Sequence, residues 1–322
     1  MKMRYPQNEP AVKLGNTDIH ITPLGIGAWA WGDKFYWGFG KGYNSDDIRS
    51  AIQMCIDLGI TFFDTAESYG RGRSESYLGE YLTSPRESVV IATKFMPYPW
   101  RLTKQSLLTA LESSLERLDM DCIDLYQIHW PFPPVPIEVW MEGLVEAVQR
   151  GWTRAVGVSN YNPVQTQGAF NKLKDFGIPL ASNQVEYNLL NRKIEQSGLI
   201  DLCRELNITI IAYSPLAQGL LTGKYTQDSP PPGIRRYRYR RETLIKIEPL
   251  LELMAEIGQS HGGKSLSQIA LNWTMCKGTV PIPGAKNAHQ ATENAGALGW
   301  RLTAQEIALL DLASEKDNHR FG

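Results

Sequence analysis

The sequence predicts an α/β fold: a single (β/α)8 barrel of the TIM type, with an N-terminal β-hairpin and extra helices, spanning residues 1–322 as one domain. Three observations predict it. One unit, a short apolar run followed by a loop and an amphipathic helix, repeats along the chain. The unit occurs eight times, the count at which parallel strands close on themselves and are buried on both faces. No linker or composition shift divides the chain, and α/β barrels routinely exceed the usual domain length. The rival architecture is an open doubly wound sheet. It expects a GxGxxG turn between the first strand and its helix, and none lies there.

The chain opens with the hairpin. Residues 12–14 and 19–22 alternate apolar and polar side chains around Gly15-Asn16 and Asp18, a turn signal between strand signals. The hairpin is expected to plug or edge the main body. Strands are expected at 24–27, 61–64, 89–94, 123–129, 154–159, 181–186, 209–213 and 280–283. Helices are expected at 46–58, 74–82, 104–118, 137–150, 163–176, 198–206, 244–260 with 265–276, 287–298 and finally 304–313. Leu107, Leu108, Leu111, Leu115 and Leu118 form one helical stripe. Ser45 before Asp46-Asp47, and Thr103 before Lys104, read as helix starts. The segment 226–241 is irregular and long for a strand-to-helix connection, so it is expected to be functional or mobile. Pro230 to Pro232 stiffen its approach.

Composition narrows the function. Lys plus Arg is 33 against 34 for Asp plus Glu, which leaves no basic surplus to attract nucleic acid or an anionic membrane. The 43% hydrophobic content is enough to offset chain entropy and excludes a disordered protein. No run approaches the length that spans a bilayer. MKMRYPQNEP at the start has no apolar signal segment. Cys55, Cys122, Cys203 and Cys276 are far apart in sequence and form no CxxC pair, so neither a metal site nor a disulfide is expected. These features fit a reducing, cytoplasmic compartment.

In a barrel of this type the active site lies at the C-terminal ends of the strands. Those ends bring Asp64, Tyr69, Lys94 and His129 to one mouth. A tyrosine is a weak acid near neutral pH. An ammonium beside the phenol is expected to lower its pKa. A carboxylate holds the ammonium charged and oriented, and a histidine orients a carbonyl. The set suits proton donation to a carbonyl oxygen as hydride reaches the carbonyl carbon. No side chain donates hydride, so a cofactor must. Trp29, Trp31, Tyr36, Trp37, Trp100 and Trp130 fall near strand-to-helix loops; Trp29 and Trp130 are expected to line an apolar substrate pocket. The pocket's selectivity is expected to come from loop residues such as Trp29, Tyr36, Trp100 and the segment 131–136.

From the first strand to the last barrel helix the chain resembles the aldo-keto reductases. The matching segments are PLGIGAWAWG (23–32), GITFFDTAESYGRGRSE (59–75), IATKF (91–95), DLYQIHWP (124–131), RAVGVSNY (154–161), SNQVEYN (182–188), IAYSPLAQGLLTGKY (211–225) and PIPGAKNAHQATENAGAL (281–298). The likeness is strongest to the branch with cyanobacterial and plastid reductases and the potassium-channel beta subunits. It implies that Tyr69 is the general acid, Lys94 the lysine that tunes it, Asp64 the carboxylate paired with that lysine, and His129 the histidine at the substrate carbonyl. It implies that Ser159, Asn160 and Gln184 hold a nicotinamide carboxamide and that Tyr213 stacks on its ring. Ser214, Leu216, Gly219, Leu221 and Lys224 match contacts along a pyrophosphate. Gly284, Lys286, Gln290, Glu293 and Asn294 match an adenosine site.

Gly284-Ala285-Lys286-Asn287 also precedes a helix start, where backbone N–H groups and the helix dipole favour an anion. Lys286 adds a full charge where a ribose 2′-phosphate would sit, which favours NADPH over NADH. Many family members carry arginine there, which forks onto phosphate better than lysine. One or two arginines between Arg235 and Arg241 are expected to close over the pyrophosphate. The resulting expectation is an NADP-dependent oxidoreductase that reduces aldehydes and ketones, acting as a monomer on a small-molecule carbonyl substrate. One alternative is an NADPH-binding regulatory subunit; the channel subunits carry asparagine where this chain has His129. Another is a Schiff-base aldolase with Lys94 as nucleophile, which has no use for the 284–294 segment.

Overall fold

A computed structural model describes residues 9–82, 86–231, 235–238 and 241–315. Strands β1 (Val12–Lys13) and β2 (His20–Ile21) form the antiparallel hairpin. Eight parallel strands follow: β3 (Ile26–Gly27), β4 (Phe62–Asp64), β5 (Val90–Phe95), β6 (Ile123–Ile128), β7 (Thr153–Ser159), β8 (Leu180–Glu186), β9 (Thr209–Tyr213) and β10 (Val280–Ile282). Each pairs with its sequence neighbour. Gly25 and Gly27 N–H donate to Pro281 and Pro283 carbonyls, both at 3.0 Å, and so join first strand to last. A doubly wound sheet would reverse its strand order at one point; this order runs in sequence and returns to its start.

The helices are α1 (Ser45–Asp57), α2 (Arg73–Tyr81), α3 (Lys104–Leu118), α4 (Ile137–Gln149), α5 (Pro163–Lys174), α6 (Lys193–Gln196), α7 (Leu199–Glu205), α8 (Arg235–Arg238), α9 (Arg241–Ser260), α10 (Leu266–Cys276), α11 (Ala288–Ala295) and α12 (Ala304–Glu315). The leucine stripe of α3 is buried as its spacing requires. The start of α1 differs from expectation. Asn44, not Ser45, is its cap, accepting from Asp46 and Asp47 N–H while the Asp47 carboxylate returns to Asn44 N–H. Asn caps as well as Ser, and only Asn44 has an acidic residue three positions on to complete the reciprocal pair. The expected 198–206 helix is α7, and a short extra helix, α6, precedes it, with Gly198 in the left-handed region between them. The irregular 226–241 segment contains α8, while Pro232, Tyr239 and Arg240 lie outside the described residues.

Side chains alternate along each strand, and that alternation separates two interiors. Phe63, Ile91, Tyr126 and Val156 face the helices. Phe62, Ala92, Leu125, Ala155, Ile211 and Val280 face the axis, where they meet Leu14, Ile19 and Ile21 of the hairpin. The hairpin therefore plugs the N-terminal end. Gly15 makes this possible: its φ is +54° and an added Cβ would lie 2.5 Å from the Ala181 carbonyl. Two residues further along the inward faces the apolar layer gives way to Asp64, Lys94 and Gln127, all buried. One step of the strand period thus carries β4, β5 and β6 from plug to chemistry. No helix of the described residues is long and apolar enough to cross a membrane.

Candidate active site

A cavity of about 1060 Å³ opens at the C-terminal mouth, at the top of the range for small-molecule sites. Its floor is an ion pair. Lys94 Nζ bonds Asp64 Oδ1, donates to the Thr65 carbonyl at 2.8 Å, and reaches Tyr69 Oη at 3.4 Å. An ammonium has three protons, and these three acceptors use them all. Asp64 Oδ2 accepts from Gln184 Nε2 at 2.7 Å and Gln127 Nε2 at 3.2 Å. Lys94 is fully buried and Asp64 1% exposed, so the charges are held by each other and by amides rather than by water.

Tyr69 stands above this pair on the turn after β4. Its N–H donates to the Ala66 carbonyl at 3.0 Å, and the next two residues, Gly70 and Arg71, have φ of 57° and 59°. Only a glycine takes such a backbone without cost. His129, just past β6, is fixed through its N–H to Phe95 carbonyl at 2.9 Å. Its ring meets Tyr69 edge to face at 5.6 Å. Sequence order thus brings Asp64, Tyr69, Lys94 and His129 together as expected; Lys94 lies beneath the cavity while the other three line it.

The electrostatics correct one expectation. Tyr69 is pushed well above the usual phenol value, first by burial and then by the Asp64 carboxylate. The expected lowering by Lys94 is outweighed, first by burial and then by the Asp64 carboxylate that lies against the ammonium. Burial also holds Lys94 below its usual value, with Asp64 opposing. His129 is held well below its usual range by burial and by Lys94, so the imidazole is neutral. Its Nδ1 is buried with no partner among the described residues.

Beside the phenol, Ser159 Oγ and Asn160 N–H both donate to the Gln184 carbonyl, at 2.8 and 2.9 Å. Tyr213 Oη donates to Asn160 Oδ1 at 2.9 Å. Asn160 has φ of 64°, which turns its side chain into the mouth. Ser159, Asn160, Gln184, Tyr213, Ser214, Leu216, Gly219, Lys224, Gly284, Lys286, Gln290, Glu293 and Asn294 all line the cavity. Leu221 does not. It is fully buried in the core, and its N–H is taken by the Leu216 carbonyl at 3.3 Å, because the chain winds into a 3-10 turn over Ala217–Thr222.

Trp29 and Trp130 line the cavity as expected, and Trp37 and Met96 join them. Trp31 is instead structural, its indole N–H bonded to the Ala285 carbonyl at 2.7 Å in the core. Trp100 is outside the lining, 73% exposed and stacked on Tyr98. Tyr69, Trp29 and Trp37 form a line of rings, with centroids 6.4 and 5.4 Å apart. Trp37 carries Arg235 and Lys286 on its ring, both 4.9 Å from the centroid.

Arg235 is the residue that sequence reasoning left unresolved within its run of arginines. It is buried, bonds the Gln218 carbonyl at 3.3 Å and Tyr225 Oη at 3.0 Å, and lines the cavity. Arg236 is exposed, and Arg241 bonds Gln227 at 3.0 Å. Burial, then Arg235 and Lys224, push Lys286 down to about 8. Three mutually repelling cations lining one cavity would be stabilised by a polyanion. Arg235 Nε and Trp37 Nε1 are buried there without a partner among the described residues. The phosphates of a dinucleotide fit this donor set.

The aldo/keto reductase family model matches residues 23–315. The chain is 42% identical to the chloroplastic pyridoxal reductase of Arabidopsis thaliana, covering 98% of this chain and 89% of the relative. It is 32% identical to the L-glyceraldehyde 3-phosphate reductase of Escherichia coli, covering 92% and 90%. Among solved structures, a glycerol dehydrogenase from Gluconobacter oxydans superposes with a TM-score of 0.84 at 27% identity, over 98% of each chain. An aldo-keto reductase from Klebsiella pneumoniae in complex with NADPH superposes with a TM-score of 0.74 at 27% identity, over 94% of each. The chain belongs to the aldo/keto reductase family and is an oxidoreductase acting on carbonyl groups.

Proposed function

We propose that the protein reduces aldehydes and ketones to alcohols with NADPH, with Tyr69 as the general acid. One observation carries the reading: a single cavity joins a phenol backed by a buried Lys94–Asp64 pair to the cations Lys224, Arg235 and Lys286. Bound here, NADPH supplies the hydride. Lys224, Arg235 and Lys286 would hold its phosphates, and Ser159, Asn160, Gln184 and Tyr213 its nicotinamide.

The chain's own groups manage the proton. Lys94 Nζ approaches Tyr69 Oη as a donor, which leaves the phenol O–H to point at a substrate carbonyl. The raised pKa keeps that proton on Tyr69 until an alkoxide, a stronger base, develops. The negative charge then passes to the phenol oxygen, 3.4 Å from the ammonium, where Lys94 counts most. The neutral His129 ring supplies a second donor. An unpartnered buried acceptor is tolerated better than an unpartnered N–H, so the bare Nδ1 favours the proton on Nε2. Trp29, Trp130 and Met96 give the substrate an apolar, partly aromatic surface. This surface, with the pyridoxal reductase likeness, supports planar aromatic aldehydes as substrates.

A Schiff base at Lys94 is disfavoured because the amine is buried, charged and outside the cavity lining. The unpaired thiols Cys55, Cys122, Cys203 and Cys276 support a reducing, cytoplasmic location.

The test follows NADPH absorbance with a panel of aldehydes that includes pyridoxal. Wild-type turnover that falls about 10²–10⁴-fold in Tyr69→Phe, with NADPH binding kept, is the expected result. A variant as active as wild type would refute the role of Tyr69.

A further inference from the structure

We infer that Gln127 is a positioning residue for proton transfer, acting through Asp64 to aim the Lys94 ammonium at Tyr69. The inference rests on the reductase reading above and deepens it by adding a residue to the machinery.

Gln127 sits beside Lys94 in the β5–β6 register and is fully buried. A carboxylate only accepts, so the 3.2 Å contact to Asp64 Oδ2 fixes Gln127 Nε2 as donor. Its Oε1 then accepts, from Ser182 Oγ at 3.4 Å and Gln184 Nε2 at 3.5 Å. Both ends of the amide are thereby engaged within one layer of the barrel. Asp64 is left with Oδ1 on Lys94 and Oδ2 on two amides. Free rotation of the carboxylate would let the ammonium follow it away from the phenol; two amide donors on the second oxygen prevent that.

The fold makes room for this contact at some cost. An inward position beside Lys94 calls for an apolar side chain, as Leu125 supplies two residues earlier. A buried amide is tolerated only when fully bonded. Gly157 pairs with Gln127 across β6 and β7. A Cβ on Gly157 would run into Ser182 Oγ and come within 3.1 Å of Gln127 Cγ, so this glycine vacates the space that the amide and the hydroxyl donating to it fill. A leucine at 127 would fill the volume without the donor, so packing alone does not explain the glutamine. Gln184 completes the device. Its Nε2 gives one proton to Asp64 and the other to Gln127 Oε1, which leaves only Oε1 to meet a cofactor carboxamide. A cofactor contact at Gln184 therefore reaches Lys94 through the same carboxylate.

Two variants test the inference in the intact protein. Gln127→Leu keeps volume and removes the donor. It is expected to lower kcat about tenfold, leave NADPH affinity within threefold of wild type, and raise the deuterium isotope effect from NADPD as proton-coupled hydride transfer becomes limiting. Gln127→Glu carries the sharper signature. As a carboxylic acid it can still donate to Asp64; as a carboxylate it repels Asp64 and competes for Lys94. Of the charged groups, Asp64 bonds it and Lys94 is its neighbour in the β5–β6 register; Tyr69 and His129 are the other titratable groups of the same mouth. Its kcat is expected to recover as pH falls, while the wild-type and leucine profiles show no such limb. A space-filling role would not produce a protonation-dependent rescue. If wild type is active and Gln127→Leu matches its kcat within twofold, or if Gln127→Glu shows no acid recovery, the inference is overturned and the reductase reading stands. If wild type reduces no aldehyde while binding NADPH, the reductase reading falls and the inference with it.

Discussion

Replacing Lys94 by methionine separates what the buried pair does for stability from what it does for chemistry. The substitution fills much of the volume but leaves Asp64, 1% exposed, as an uncompensated buried charge. Breaking a buried pair by removing one partner costs about 3–5 kcal/mol. Gln127 and Gln184 still donate to Asp64 Oδ2, so the lower end, about 3 kcal/mol, applies. Each kcal/mol shifts Tm by about 2–4 °C in domains of 150–250 residues. A larger chain sits at the low end, which gives a loss of roughly 6 °C. Adding Asp64→Asn removes the second charge while keeping an oxygen for both amides. Replacing both partners of a buried pair together is close to neutral, so the double variant should recover most of the lost stability. Activity should not return, because the phenol oxygen has lost the positive neighbour that meets its developing charge, a loss of about 10²–10³ in kcat. Urea denaturation and thermal melting read the first effect, and NADPH-linked turnover reads the second. A double variant no more stable than Lys94→Met, or a single variant within 1 kcal/mol of wild type, would refute the pair as drawn.

Other expectations follow from the same geometry. Lys286, held down to about 8, is charged below that pH and neutral above it. NADPH affinity should therefore weaken as pH rises through about 8 while NADH affinity does not; a charge-assisted contact of about 1.5–3 kcal/mol sets the scale at tenfold or more. Titrations by nucleotide fluorescence check this, and Lys286→Met should flatten the response. Gly157→Ala overfills the layer shared by Ser182 and Gln127 and should cost about 1–3 kcal/mol in urea unfolding. Ile21→Ala, in the hairpin plug, should cost about 2–5 kcal/mol. It should leave kcat near wild type, because the plug and Tyr69 sit at opposite ends of the barrel axis.

The barrel, and the four residues Asp64, Tyr69, Lys94 and His129 at its mouth, were legible in the sequence alone. Strand period and helix period are local properties, so eight repeats of one after the other are legible residue by residue. The same period places Asp64, Lys94 and Gln127 two residues beyond the inward-facing Phe62, Ala92 and Leu125, so Asp64 and Lys94 could be assigned to the mouth before any contact was known. Which arginine of a run of like residues turns inward is set by the folded chain. Arg235 is chosen by Trp37, Gln218 and Tyr225, which lie on other segments. It also decided that Leu221 packs into the core rather than the groove, because a 3-10 turn spends its N–H locally. And it decided the sign of the change at Tyr69. The residue types promised a phenol lowered by an ammonium, but an electrostatic sum depends on distance and solvent. Burial and the Asp64 carboxylate, which lies against the ammonium, outweigh the charge 3.4 Å away. Local patterning follows from covalent geometry and can be read along the chain; charge balance and side-chain choice follow from what folding brings near, and exist only once the barrel has closed.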